Sequence, residues 1–272
     1  MSSTNSPLWK PCGIVTLLTD FGQTDAYVGI MRGVLATCCP GLSEVVDLTH
    51  AIQPQDIRGG AFQLKHAWSY FPPGTVHLAV VDPGVGSERR ALLALDRGHA
   101  FVAPDNGLLA PVLSADAEVF ELDVEGIALP NRSRTFHGRD VFAPAAAALA
   151  GGRSPAELGQ RTDLAVDLQF NEPVALSGAG CWRGEVLQVD HYGNLVSNLP
   201  ATLLNHARGA KPAQLSLCGH AVTVVGTYAD VNEGELLALV DSFGLLEVAV
   251  RGGSAAGILG CGVGEQIEME LR

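Results

Sequence analysis

Three short segments carry side chains suited to chemistry. "VVDPGVGSERR", residues 80–90, sets Asp82 and then Arg89 and Arg90 into an otherwise apolar stretch. "RTFHGRD", residues 134–140, gathers Arg134, His137, Arg139 and Asp140. Histidine exchanges a proton near neutral pH, and arginine fixes or polarises an oxygen, so a metal-free Asp/His/Arg arrangement is chemically coherent. "VDHYGNLVSN", residues 189–198, offers Asp190, Asn194, Ser197 and Asn198. Carboxylate and amide groups of that kind recognise polar ligands, and they are equally at home in turns. Tyr228 in "TYAD" presents a ring that could stack on a base, and "DSFGLLEVAV" places Ser242 and Glu247 beside Phe243.

Other chemistries fit less well. "TDFGQTDAYVG" has no GxGxxG, and "DPGVGSERR" lacks the Lys-Ser/Thr ending of a phosphate loop. The spacing around His137 defines no tetrahedral ligand set, so neither a metal nor another cofactor is expected. An aspartate can instead accept two hydrogen bonds from ribose hydroxyls, a role suited to Asp20 at the end of the first apolar run. Helix capping is the plainer use of Asp20 or Asp25.

These side chains need a scaffold to position them. "GIVTLLTD", residues 13–20, is continuously apolar, as in a parallel strand covered by helices. The next segment puts Val28, Met31, Val34 and Leu35 at helical spacing before "PG" at 40–41, and "LSEVVDLT" supplies a second strand. Ile57, Ala61, Leu64, Ala67 and Trp68 mark another helical face ahead of "TVHLAVVD", the third strand. Strand-helix alternation predicts an α/β domain with a mostly parallel sheet, and both Asp20 and Asp82 leave strand ends, where open α/β sheets bind ligands. "RALLALDRGHAFVAPDNGLLAPVLS" predicts strand, turn, strand, loop and a short helix, and "TFHGRDVFAPAAAALAGG" a polar loop entering an alanine-rich helix. Beyond about residue 170 short strand-like runs separated by glycine turns replace the helical periodicity. The expectation is an N-terminal α/β domain over 13–168 and a smaller C-terminal all-β, barrel-like domain over 172–272.

Composition narrows the partners. The formal charge is −12, with three lysines among 17 basic residues, which leaves no basic face for a nucleic-acid backbone. A small cationic or zwitterionic ligand suits that balance. The opening "MSSTNSPLWKPCG" lacks a signal peptide's apolar region and no run is long enough to span a membrane, so a cytoplasmic protein without a membrane partner is expected. The six cysteines form no CxxC pair and are expected to be reduced.

In combination and order, the motifs resemble those of one family. "TLLTDFGQTDAYVGIMRGV", "VVDLTHAIQPQDI", "FPPGTVHLAVVDPGVGSERR", "FVAPDNGLL", "TFHGRDVFAPAAAALA", "VDHYGNLVSNL", "TYADVNEGE" and "SFGLLEVAV" are similar to the S-adenosyl-L-methionine hydroxide adenosyltransferases, the adenosine-forming S-adenosylmethionine hydrolases. The resemblance implies an α/β domain followed by a β-barrel, and a homotrimer with active sites at subunit interfaces. It implies attack of water on S-adenosylmethionine to give adenosine and methionine. Asp82, Arg89 and His137 would be catalytic, Asp20 would bind ribose, and Asp190 and Asn194 would bind the methionine portion. Tyr228, Ser242 and Phe243 would complete substrate binding. Halide-using relatives replace the equivalent of Asp82, and the fluoride users also carry an extra loop, so the retained aspartate and the short segment before "TFHGRD" favour water. A halide-dependent adenosyltransferase and a non-catalytic S-adenosylmethionine or adenosine binder are the alternative readings.

Overall fold

The computed structural model describes residues 9–164, 166–177, 180–206 and 212–271. Residues 1–8 of the polar amino-terminal segment lie outside the described residues. Two compact units, residues 1–169 and 170–272, divide the chain.

The first unit is built on a seven-stranded sheet of β1 (Ile14–Thr19), β2 (Glu44–Thr49), β3 (Val76–Val80), β4 (Ala91–Asp96), β5 (His99–Pro104), β6 (Glu118–Leu122) and β7 (Gly159–Thr162), in the order β2-β1-β3-β5-β4-β6-β7. The first half is parallel, with β1 joined to β2 and β3, and β3 to β5. The expectation of a mostly parallel sheet needs correction, because β4, β5, β6 and β7 pair antiparallel. A two-residue turn reverses the chain between β4 and β5, which leaves no room for the helical crossover that a parallel pair requires. The strands β6 and β7 are short and half polar, and nothing in their sequences announces them.

Helices cover both faces. Met31 and Leu35 of α1 (Tyr27–Cys38) bury against Val15, Leu17, Leu78 and Val80 in one core. The small side chains of the helix Ala143–Ala150 share that core, and small residues let helix axes approach closely. On the opposite face α2 (Ile57–Ala67) starts from Asp56, whose carboxylate accepts from the Gly59 N–H at 2.8 Å, and its Gly60 lies against Leu18, Val81 and Leu108. A one-turn helix, α3 (Val124–Ile127), follows β6, which makes Ala143–Ala150 helix α4. The short helix expected after "PDNG" is instead a series of turns, such as Ala110 N–H to Gly107 C=O at 3.1 Å. Between β3 and β5 two histidines are buried end to end. Thr16 Oγ1 lies 2.8 Å from His77 Nδ1, and His77 Nε2 lies 3.1 Å from His99 Nδ1. Burial and then the neighbouring His99 push His77 down to about 3, so it is neutral.

The second unit contains β8 (Val174–Ala175), β9 (Cys181–Val189), β10 (Leu195–Pro200), β11 (Gln214–Leu217), β12 (His220–Thr223), β13 (Leu236–Val240), β14 (Leu245–Val250), α5 (Ala255–Leu259) and β15 (Gln266–Glu270). The strands run β12-β11-β15-β9-β10-β14-β13, every named pair antiparallel, with β8 beside β9. A Val225 N–H to Ala238 C=O bond at 2.8 Å brings the two ends of that order together, so the sheet is nearly closed and barrel-like. Val186, Leu195, Leu215, Leu246, Val248 and Ile267 fill its interior. Here the expectation of six reduced cysteines is corrected. Cys218, in the turn between β11 and β12, and Cys261, just after α5, form a disulfide with Cα atoms 6.7 Å apart. Cys12, Cys38, Cys39 and Cys181 are free. Among the described residues no helix is long and apolar enough to cross a membrane.

Candidate active site

The parallel register of β1 and β3 aligns Thr19 with Val80, so Asp20 and Asp82 leave the same edge of the sheet. After β3 the chain turns tightly, with Val85 N–H bonded to Asp82 C=O and Ser87 Oγ donating to Gly84 C=O at 2.6 Å. Arg89 then returns to Asp82. Its Nε donates to Oδ1 and Oδ2 at 2.9 and 3.1 Å, and its Nη2 donates to Oδ2 as well. The same Nη2 reaches His137 Nδ1 at 3.1 Å, and the guanidinium lies over the Phe142 ring, 5.0 Å from its centroid. Asp82 and Arg89 side chains are only 5% and 11% exposed, so this ion pair is shielded from water and strongly oriented.

His137 comes from the segment preceding α4, where one π turn, Gly138–Phe142, leads into the helix. The segment reaches the loop because residue 86 is glycine. Its φ is +79°, and a Cβ there would lie 2.5 Å from the Arg134 carbonyl oxygen. Asp140 takes no part in the pair. Its burial is outweighed by hydrogen bonds from Arg139 and the Ser133 N–H, which hold it below the usual carboxylate range. His137 is pushed down by burial first and by Arg89 second. Guanidinium only donates, so His137 Nδ1 is the acceptor and the ring is neutral with its proton on Nε2.

Asp82 and His137 line a cavity of about 390 Å³. Phe21, Tyr27 and Phe136 form its aromatic wall, with ring centroids 5.2–5.9 Å apart in tilted and edge-on contacts. Arg89 is absent from the lining and joins the other two from behind. Asp20 is also outside the lining. Its Oδ2 accepts from the Gln55 N–H at 2.7 Å. Arg90 is structural: it donates to Asp105 Oδ2 at 2.9 and 2.6 Å and to Thr162 Oγ1 at 2.6 Å. Among the described residues no three His, Cys, Asp or Glu side chains are grouped to hold a metal ion.

The second unit holds the other expected residues. Asp190 organises the turn between β9 and β10. Its Oδ1 accepts from the N–H groups of Tyr192 and Asn194 at 2.8 Å each, and its Oδ2 from Asn194 Nδ2 at 3.0 Å. Gly193 has φ +83°, and a Cβ there would meet Ser254 Oγ at 2.0 Å, so this turn sits tightly on the N-cap of α5. Tyr192, Asn194 and Tyr228 line a second cavity of about 460 Å³. The Tyr228 hydroxyl donates to Glu247, which is 3% exposed. Burial raises Glu247, with Asp190 and Asp241 adding to the rise while the Tyr228 bond opposes it. Ser242 and Phe243 sit in the β13–β14 turn and are not among that cavity's lining residues.

Asp241 escaped notice at the sequence level, although a signal was present. "DHYGN" and "DSFGL" share Asp, an aromatic residue and glycine at the same offsets, and fold alike. Asp241 Oδ1 accepts from the N–H groups of Phe243 and Leu245 at 2.8 and 2.9 Å, matching Asp190. The two turns are one Asx-type device used twice.

The chain matches the family models for the N-terminal domain of the SAM hydroxide adenosyltransferases over residues 15–159 and for their C-terminal domain over residues 184–268. It is 43% identical over 264 residues to an (R)-S-adenosyl-L-methionine hydrolase of Thermus thermophilus, covering 94% of this chain and 98% of that one. A fluorinase of Actinoplanes is more distant, 27% identical with 87% and 90% coverage. A solved structure of an uncharacterized conserved protein from Thermotoga maritima superposes with a TM-score of 0.86 at 36% identity, covering 94% of this chain and 99% of that one.

Proposed function

The chain belongs to the SAM hydroxide adenosyltransferase family, and from that premise we propose that it hydrolyses (R)-S-adenosyl-L-methionine to adenosine and L-methionine. The observation that carries this reading is the linked Asp82–Arg89–His137 set opening on an aromatic-walled cavity. The sulfonium makes neutral methionine thioether a good leaving group, so the reaction asks mainly for an oriented water. Water attacks the 5′ carbon opposite the C–S bond, the bonding pair leaves with sulfur, and the new oxygen gives up a proton. Asp82 accepts that proton, since its carboxylate keeps a lone pair beyond its three bonds from Arg89, whereas the single acceptor lone pair of His137, on Nδ1, is already engaged by Arg89. His137 contributes its Nε2 proton as a donor to the water oxygen, and Arg89 keeps both partners in place. Fixed geometry of this kind removes the orientational cost of a loose nucleophile.

Asp20 binds the ribose hydroxyls in this reading, and Asp190 with Asn194 binds the methionine ammonium and its surroundings. Tyr228, Ser242 and Phe243 complete the nucleoside contacts. The two sets lie in different units, and in the proposed homotrimer one subunit's N-terminal set works with a neighbour's C-terminal set. No cofactor enters the chemistry. Asp82 also speaks for water over halide, because a carboxylate at the nucleophile's position repels an anion.

Incubation with S-adenosylmethionine in ¹⁸O-labelled water tests the reading. Label should appear in the adenosine 5′-hydroxyl, faster from the (R) than the (S) sulfonium. A 5′-halogenated nucleoside formed faster than adenosine in chloride or fluoride, or tight binding with no turnover, would sink it.

A further inference from the structure

Two consecutive residues beyond β5 pin both ends of the loop that carries Asp82 and Arg89. Asn106 Nδ2 donates to the Val81 carbonyl at 2.7 Å, the peptide immediately ahead of Asp82. Its own Oδ1 accepts from the Leu108 N–H at 3.2 Å, which fixes the orientation of the amide. Asp105 holds the other end. Its N–H donates to the Arg90 carbonyl at 3.0 Å, and its Oδ2 accepts from Arg90 Nε and Nη2 at 2.9 and 2.6 Å. The Arg90 carbonyl also takes a 3.4 Å contact from Arg89 Nη1, so the pin and the guanidinium share an acceptor.

Neither Asp105 nor Asn106 lines the cavity. Their contacts fall one residue outside Asp82 on one side and one residue outside Arg89 on the other. We propose that Asp105 and Asn106 are positioning residues for the hydrolysis, a two-point clamp that sets the distance between Asp82 and Arg89 and hence their alignment with His137. The inference rests on the hydrolase reading above. Errors of about 1 Å in such a set cost on the order of 100-fold in rate.

The test is steady-state kinetics with S-adenosylmethionine, alongside thermal unfolding, for three variants. Asn106→Asp keeps the size and the acceptor for Leu108 but turns a carboxylate oxygen on the Val81 carbonyl. It should lower kcat by about 10- to 100-fold with KM within about twofold of wild type. Asp105→Glu keeps the charge and lengthens the arm, and should give the same pattern more weakly. Thr162→Val removes a different Arg90 contact and touches neither pin, so its kcat should stay within about twofold of wild type. If Asn106→Asp does not fold, Asp105→Glu decides by the same criteria. Wild-type kcat in the clamp variants, a change in KM alone, or an equal loss in Thr162→Val would overturn the clamp. Wild-type protein that forms no adenosine would instead overturn the hydrolase reading itself.

Discussion

The two units handle charge in opposite ways. In the N-terminal unit Asp82 is matched by Arg89, Asp105 by Arg90 and Asp140 by Arg139, so its buried carboxylates are neutralised where they stand. In the C-terminal unit burial pushes Glu247 up, the carboxylates of Asp190 and Asp241 add to that rise, and Asp241 Oδ2 is buried without a hydrogen bond. A balanced set can orient a neutral water without attracting ions. An unbalanced acidic set attracts a cation, and the substrate of the proposed reaction carries a sulfonium and an ammonium. In the proposed reaction the contrast divides the labour: the first unit orients the nucleophile and, through Asp20, the ribose, while the second unit's acidic set attracts the cationic methionine portion.

Asp82→Asn tests that division most severely. It preserves shape and removes the proton acceptor, so kcat should fall about 10³-fold with KM little changed, as measured by adenosine release. A rise in KM alone would reverse the roles of the units. Asp190→Asn should do the opposite, raising KM about tenfold while leaving kcat within a few-fold, since a charge-assisted bond is lost but the turn's N–H groups keep an acceptor. Mixing and refolding the two variants sharpens the comparison further. If sites are shared between subunits, an equimolar mixture at low substrate should recover about a quarter of wild-type activity. Recovery of no more than half the Asp190→Asn rate would mean that each chain builds its own site.

Smaller effects belong to stability. Unfolded His77 titrates near 6.5 and folded His77 only at about 3, so the unfolded chain binds the extra proton between those values. Its contribution is complete above pH 6.5 and is lost as pH falls towards 3, by up to about 1.4 kcal/mol per unit. Denaturation midpoints for His77→Phe should fall less steeply over that window than those of wild type. In the C-terminal unit the sign is reversed. Glu247 titrates above its ordinary 4.5, so its stabilising term is present at low pH and lost as pH rises through the folded value. Glu247→Gln should raise the unfolding temperature by about 2 °C at pH 7.5 and give no gain at pH 4.

Much of this was legible in the residues. Continuous apolar runs ending in Asp20 and Asp82 marked the strands and the edge from which both carboxylates leave, and helical spacing singled out Met31 and Leu35. The mixed sheet was hidden because direction is set by pairing partners, and β6 and β7 are too short and polar to declare themselves. Cys218 and Cys261 are 43 residues apart with no motif between them, so only the folded barrel brings them together. At the site, residue types offered Asp82, Arg89 and Arg90 in one segment and Arg134, His137, Arg139 and Asp140 in another, and the family resemblance selected Asp82, Arg89 and His137. Their order of contact was invisible in the sequence: Arg89 stands behind the other two, and His137 accepts from it, since Nδ1 and Nε2 are indistinguishable in a sequence.

The tight packing of Gly86 and Gly193 carries an evolutionary consequence. A side chain at residue 86 would strike a backbone oxygen, that of Arg134, and no second substitution can remove a carbonyl. A side chain at residue 193 would strike Ser254, a group that mutation can shrink. Asparagine tolerates left-handed backbone, and Ser254→Gly would remove the 2.0 Å clash at 193, leaving the Ser254 Cα at 3.1 Å to shift by a few tenths of an ångström. The loop that carries Asp82 and Arg89 is thus closed to compensated drift at that contact, while the turn that presents Asp190 and Asn194 can be eased by a change at Ser254. At these two contacts the turn that carries Asp190 has more freedom to change than the loop that carries Asp82.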